Sequence, residues 1–188
     1  MNGDQLPRLS LAPDLRVIEG YHGTTVSAST VAIAEQKLIP SHNPWDWLGD
    51  GIYFWEGSLN RAILWVRRKY GNQGAIVRAR IRLGRCLDLF DTRWIPVIEA
   101  AHQKLLRESQ AKGVVLPVNK GGNHALDRLV INYVCEKLYE MDSVRGPFLE
   151  GPPIFEGSLL PNLTHVQIAV RNLSMIQVPL RVQYPFGM

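Results

Sequence analysis

Alternation of hydrophobic and polar residues predicts several strands along the chain. The first runs over 16–22, and the compact apolar segment 52–55 predicts a short buried strand. Residues 75–83 alternate strictly, with apolar positions on one face and Arg78, Arg80 and Arg82 on the other. Two further alternating runs, 165–171 and 176–182, predict strands near the end of the sequence.

A period near 3.6 residues predicts helices between these strands. Ser29 or Thr30 is expected to cap a short first helix, and Ser58 a second helix that ends near Gly71. Helices are also predicted over 95–109 and from Asn123 onward. Since strands and helices are interspersed without a regular βαβ rhythm, we expect an α+β fold around an antiparallel or mixed sheet.

The composition is typical of a globular protein, and we expect a single domain over residues 1–188, with 1–15 as a poorly ordered lead-in. Of the 188 residues, 46% are hydrophobic and 20% are charged, and the formal net charge is +4. This mild basic excess permits an anionic partner without requiring one. Two cysteines form no disulfide framework, no Cys/His spacing indicates zinc, and no apolar run reaches membrane-spanning length. We therefore expect a cytoplasmic protein with no membrane partner.

Three short motifs contain residues suited to ligand binding. Tyr21-His22-Gly23-Thr24-Thr25 ends the first predicted strand, Gly49-Asp50-Gly51 precedes the strand that contains Tyr53, and His165-Val166-Gln167 opens a late strand. Taken singly, they are equally typical of a strand end, a hairpin corner and an exposed sheet edge. The sequence lacks the third glycine of a dinucleotide-binding GxGxxG motif, and it has no phosphate-binding loop, GxSxG or HExxH motif.

The order of these motifs is more specific than any one of them. Tyr53 follows His22 by 31 residues, and the strand with Gln167 comes late in the chain. This combination resembles the ADP-ribosyltransferase superfamily, most closely small bacterial members of the histidine–tyrosine branch that includes diphtheria toxin and the poly-ADP-ribose polymerases. The resemblance covers residues 16–182 and implies an NAD cleft between split antiparallel or mixed sheets with flanking helices. The interval from about 90 to 156 is expected to be a helical insertion with a loop.

The resemblance also implies roles for individual residues. The His22 side chain would face the adenosine ribose of NAD, the Gly23 backbone would bind the nicotinamide carboxamide, and Tyr53 would stack on the nicotinamide ring. Gln167 stands where the family usually has a glutamate that stabilises an oxocarbenium-like transition state, and Glu156 and Glu150 are the alternative carboxylates. The other NAD-binding positions that it implies are Tyr21, Thr24, Gly51, Ile52, Asn60 and Ala62. No metal is expected in this site.

These roles imply an NAD-dependent mono-ADP-ribosyltransferase that cleaves the nicotinamide glycosidic bond and transfers ADP-ribose to a nucleic acid or a protein. A toxin or anti-phage effector, held in check by an antitoxin or inhibitor protein, would fit. Because a glutamine cannot offset developing positive charge as a carboxylate does, two alternatives stay open. These are an RNA 2′-phosphotransferase-like enzyme and a non-catalytic module that binds NAD or ADP-ribose. Arg78, Arg80 and Arg82, with Trp45 and Trp47, would suit a nucleic-acid acceptor, and a protein acceptor fits the charge equally well.

Overall fold

The computed structural model describes residues 9–184 and has seven strands and four α-helices within that range. The strands are β1 (Asp14–Thr25), β2 (Ile52–Glu56), β3 (Gly74–Gly84), β4 (Cys86–Asp88), β5 (Ser143–Phe148), β6 (His165–Val170) and β7 (Ile176–Tyr184). The helices are α1 (Val26–Glu35), α2 (Leu59–Tyr70), α3 (Ile95–Ala111) and α4 (Ala125–Tyr133), the last continuing into a π-helical turn over Val134–Leu138. No helix in the described range is long and apolar enough to cross a membrane.

All seven strands belong to one mixed sheet, in the order β4-β5-β6-β2-β1-β3-β7. Only β4 and β5 run parallel, and the other neighbours are antiparallel. The expected α+β class is therefore confirmed. The sheet is continuous where split sheets were expected, but the pairing between β1 and β2 consists of only two residue pairs, Gly20 with Glu56 and Tyr21 with Trp55.

Alternation along β3 places helices on both faces of the central strands. Ile76 packs in a buried cluster with Val66 of α2, whereas its neighbour Val77 packs in another cluster with Ala32 of α1. Because successive side chains of a strand point to opposite faces, α1 and α2 lie on opposite sides of the sheet. A third cluster, which includes Leu87 of β4, packs α3 and α4 against the β4-β5-β6 end.

The structure corrects the predicted start of the first helix. Thr25, rather than Ser29 or Thr30, is the N-cap of α1, and its Oγ1 accepts a hydrogen bond from the backbone N–H of Ala28 at 3.2 Å. The hydroxyls of Ser29 and Thr30 instead donate to the carbonyl of Val26 from inside the helix. Such back-bonding is a common alternative for hydroxyl side chains near a helix start.

Strands of the sheet fall inside both the interval expected to be an insertion and the expected lead-in. The interval 90–156 contains α3 and α4 as predicted, but β5 within it is an inner strand of the sheet, between β4 and β6. The lead-in 1–15 lies partly outside the described residues, and its last two residues, Asp14 and Leu15, already belong to β1.

Candidate functional site

The candidate site lies in a fork between β1 and β2. The two strands pair at Tyr21 and Trp55 and then diverge, although both continue, β1 to Thr25 and β2 back to Ile52. A cavity of about 400 Å³ opens in this fork. It is lined by residues of both strands, of α2, of β5 and β6, of the loop before β2 and of the segment before α4: His22, Gly23, Thr24, Ile39, Ser41, Asn43, Trp45, Asp46, Trp47, Gly51, Ile52, Tyr53, Trp55, Trp65, Lys69, Tyr70, Gly122, His124, Phe148 and Gln167.

The imidazole of His22 bridges the fork. Its Nδ1 lies 2.9 Å from the backbone oxygen of Tyr53. Since a carbonyl oxygen only accepts hydrogen bonds, Nδ1 carries the proton, and in the neutral ring Nε2 is left as an acceptor. Burial lowers the pKa of His22, which favours that neutral form. The ring thus fixes the opening and offers a ligand one hydrogen-bond acceptor.

The backbone of Gly23 is directed into the fork. The carbonyl of Glu19 accepts a hydrogen bond from the N–H of Gly57 at 2.9 Å, so the backbone groups of Glu19 point toward β2. Backbone groups point to the same side at every second residue of an antiparallel strand, and those of Tyr21 and Gly23 therefore also point toward β2. A continued ladder would join Gly23 to Tyr53, but the strands have separated there and the Tyr53 carbonyl is bonded to His22. The Gly23 N–H and C=O are consequently available to a ligand.

The absence of a side chain at Gly23 also has a structural cause. A Cβ there would lie 2.8 Å from Cγ1 of Val66 and 3.1 Å from ring atoms of both Trp55 and Trp65. These contacts are shorter than side chains tolerate without movement of their neighbours. Only glycine lets α2 lie this close to the end of β1.

The ring of Tyr53 is held at its far end by two backbone groups. Its hydroxyl accepts from the N–H of Leu48 at 2.9 Å and donates to the carbonyl of Gly49 at 2.8 Å. Burial is the main cause of a raised Tyr53 pKa, so the phenol stays protonated. A neutral phenol fixed in this way supplies a ring wall to the cavity rather than a proton acceptor.

Gln167 is part of a hydrogen-bonded chain of side chains. Trp47 Nε1 donates to its Oε1 at 2.7 Å, and its Nε2 donates to Nε2 of His165 at 2.9 Å. Nδ1 of His165 in turn donates to the carbonyl of Leu163 at 2.7 Å. Because the indole N–H only donates, the orientation of the amide is fixed. One lone pair of Oε1 and one N–H of Nε2 remain for a ligand.

Thr24, Gly51 and Ile52 line the cavity, whereas three other residues implied by the resemblance do not. Tyr21 is buried, and its hydroxyl donates to Glu19. Asn60 is exposed and Ala62 is buried, because the part of α2 that faces the cavity is its C-terminal half.

Neither alternative carboxylate lines the cavity. The Glu150 carboxylate forms an ion pair with the largely buried guanidinium of Arg61, and Glu156 is exposed. Asp46 is the one carboxylate among the cavity-lining residues of the described range. It accepts hydrogen bonds from Ser41 and from the N–H of Asn43, and its burial raises its pKa. Through these bonds Asp46 stabilises the loop before β2.

Several lining residues could not be found from the motifs. Trp65, Lys69 and Tyr70 come from the last turns of α2, where the sequence pattern indicates only a helix with basic residues. The Lys69 ammonium lies 4.5 Å from the ring centre of Trp65 and brings a positive charge to the cavity. No cluster of three or more metal-ligating side chains occurs within residues 9–184.

Comparison with known proteins gives one short match. A segment of 58 residues is 33% identical to protein MJ0359 of Methanocaldococcus jannaschii, and it covers 31% of this chain and 27% of that protein. No family model matches the chain, and no solved structure is significantly similar to it.

Proposed function

We propose that this protein is an NAD-dependent mono-ADP-ribosyltransferase with its active site in the β1–β2 fork. The observation that carries the proposal is the replacement of a ladder hydrogen bond by the His22 imidazole, which leaves the backbone of Gly23 open to a ligand. A carboxamide offers one acceptor oxygen and an N–H donor, so the N–H and C=O of one residue satisfy it. Nicotinamide is the carboxamide that the motif order implies.

The remaining lining residues suit the rest of an NAD molecule. The Tyr53 ring, fixed through its hydroxyl, would stack on the nicotinamide. The neutral His22 ring would accept a hydrogen bond from a ribose hydroxyl through Nε2. The Lys69 ammonium would offset the charge of the diphosphate.

The proposed reaction exchanges one bond at the anomeric carbon of the nicotinamide ribose. The bond from C1′ to the nicotinamide nitrogen breaks, and its electron pair leaves with neutral nicotinamide. A bond forms between C1′ and a nucleophilic atom of the acceptor, whose proton passes to solvent. Gln167 Oε1 would accept a hydrogen bond from the ribose 2′-hydroxyl and orient the sugar, and as a neutral amide it supplies a dipole rather than a full charge.

Titration calorimetry with NAD, followed by transfer of labelled ADP-ribose to a cell lysate, tests the proposal. Tyr53→Ala is expected to abolish NAD binding and transfer, and Gln167→Ala to reduce transfer more than binding. Asn60→Ala is the matched control, because Asn60 is exposed on α2 and outside the cavity. Absence of NAD binding by the wild type, or unchanged transfer by Tyr53→Ala, would rule the proposal out.

A second candidate function is a binding module for NAD or ADP-ribose that performs no transfer. It is favoured by the neutral Gln167, by the pairing of Glu150 with Arg61, and by the hydrogen bonds that engage Asp46, the one carboxylate that lines the cavity within the described range. The module would bind NAD with an affinity that depends on Tyr53, yet release no nicotinamide over hours. If the Gln167→Glu variant released nicotinamide and the wild type did not, the missing carboxylate charge would be the difference between a binding module and a transferase.

A further inference from the structure

The face of the sheet on which α2 packs also carries, further along β3, a row of arginines that the proposed reaction does not use. Alternation along β3 places Arg78, Arg80 and Arg82 on one face, with about 6.7 Å between successive members of the row. Arg181 of β7 pairs directly with Arg78 and so points to the same face. We call these four residues the arginine face.

Most of the charge on the arginine face is not neutralised. Arg78 forms an ion pair with Glu19 at 2.6 Å. Arg80, Arg82 and Arg181 are exposed, and none of them forms an ion pair with another part of residues 9–184. Like charges on directly opposite residues of paired strands are destabilising. Arg181 therefore lies opposite a like charge that only the Glu19 carboxylate offsets, and an anion bound on this face would relieve the repulsion.

The face is also concave at its centre. A shallow pocket of about 220 Å³ lies among Arg78, Arg80 and Arg181, with Gln177, Val178 and Pro179 completing its wall. Three guanidinium groups and one amide around a small concavity provide donors from several directions. Guanidinium groups bind phosphate oxygens in a bidentate manner and are less strongly hydrated than ammonium groups.

We propose that the arginine face binds a nucleic-acid strand through its phosphates. The row of evenly spaced cations along β3 matches a linear polymer with a negative charge in every unit, and each such contact releases counterions from the polymer. A surface that binds an acidic protein would be expected to have aromatic anchor residues at its centre. Arginines and Gln177 occupy the centre of this face.

The face connects to the fork through the last turns of α2. Arg67 donates from Nε to the hydroxyl of Tyr184 at 3.0 Å, and Tyr184 pairs with Ile76, two residues before Arg78 on the same face of β3. Two residues beyond Arg67, Lys69 lines the fork cavity. A strand held on the arginine face could thus extend along α2 to the cavity. A role of this nucleic-acid strand as the acceptor of ADP-ribose rests on the proposed function. The binding of the strand to the arginine face does not.

Fluorescence anisotropy of the full chain with labelled 20-nucleotide single strands of RNA and DNA, without NAD, tests the proposal. The test variant is the triple change Arg80→Gln, Arg82→Gln and Arg181→Gln. The control triple, Arg107→Gln, Lys112→Gln and Lys137→Gln, removes the same charge from exposed positions on and after α3 and α4. Both triples alter only exposed side chains, so circular dichroism should show the wild-type fold.

We expect the wild type to bind a single strand at 50 mM salt and the test triple to bind at least about 10-fold more weakly. Three lost phosphate contacts should also reduce the slope of log affinity against log salt by about 2. The control triple should stay within about 2-fold of the wild type. NAD binding should be unchanged in both triples, so failure of this proposal and failure of the proposed function are separate results.

Three results would overturn the proposal. One is the absence of binding to either strand at 50 mM salt. Another is an equal loss in both triples, which would assign any binding to net charge alone. The third is displacement of the strand by poly-glutamate at an equal charge concentration, since that would favour an acidic protein as the partner of the arginine face.

Discussion

Gly23 combines two properties that only glycine provides at the end of β1. Its missing side chain lets α2 pack closely, and its backbone is directed into the fork. We expect Gly23→Ala to lower the free energy of unfolding by about 1–3 kcal/mol, because the new Cβ would overlap Cγ1 of Val66. The proposed binding of NAD should weaken as the ends of β1 and α2 move apart. Urea denaturation and calorimetry measure the two effects.

The double variant Gly23→Ala, Val66→Ala tests whether the overlap with Val66 is the source of this loss of stability. Removing the Val66 methyl groups relieves the closest overlap, at 2.8 Å, and leaves the two tryptophan contacts at 3.1 Å. Relative to Val66→Ala alone, the added cost of Gly23→Ala should therefore be smaller than in the wild type. An equal cost in both backgrounds would place the strain elsewhere.

Two histidines with lowered pKa values predict a loss of stability in acid. Burial lowers the pKa of both His22 and His165, so the folded protein disfavours their charged forms. The unfolded chain takes up protons first as the pH falls below about 6.5, and the free energy of unfolding should decrease there until the folded pKa values are passed. Melting temperatures at pH 7.5, 6.0 and 5.0 measure this slope.

His165→Gln should reduce that slope, because the replacement does not titrate and its amide oxygen can still accept from Gln167. A slope that is identical in the wild type and in His165→Gln would show that other groups determine the acid sensitivity.

At the scale of elements, the sequence predicts which segments form strands and helices better than it predicts where two paired strands diverge. The alternation over 75–83 and the aromatic run 52–55 both become strands, since local pattern and burial agree there. The fork is different. The residues around Tyr21 and Trp55 do not indicate that the pairing of β1 with β2 stops there. The length of this ladder depends on the positions that packing against α2 and pairing with β6 impose on the two strands.

The start of α1 depends on one hydroxyl. Thr25 Oγ1 accepts from the Ala28 N–H, and without it one N–H of the first turn loses its side-chain partner. Thr25→Ala should lower the free energy of unfolding by about 0.5–2 kcal/mol, and Thr25→Ser should restore most of it. Thr92→Ala, at an exposed threonine, is the control for urea denaturation. A loss in Thr25→Ser as large as in Thr25→Ala would mean that the methyl group, not the cap, stabilises α1.

At the scale of the whole molecule, β5 shows why the sheet order could not be predicted. Gly146 and Pro147 indicate a loop, yet both lie in an inner strand. Pairing with β4 covers only Ser143 to Arg145, so Pro147, which has no N–H, lies beyond the reach of that neighbour and faces an unpaired edge there. Which strands flank β5 is set by contacts distant in sequence, and no local pattern records them.

The arginine face links the stability of the whole sheet to the ligand proposed for it. Arg181→Gln removes one of two like charges on directly paired residues, so the unliganded protein should gain a few tenths of a kcal/mol, up to about 1 kcal/mol. The gain should be largest at 20 mM salt and shrink at 200 mM, because exposed charges are screened. The same variant should bind single-stranded RNA more weakly. Urea denaturation at both salt concentrations measures the first effect, with Arg107→Gln as the control. If Arg181→Gln were less stable than the wild type at low salt, attractive contacts of Arg181 would outweigh its repulsion with Arg78. The positive charge of the arginine face would then need no bound anion to offset it.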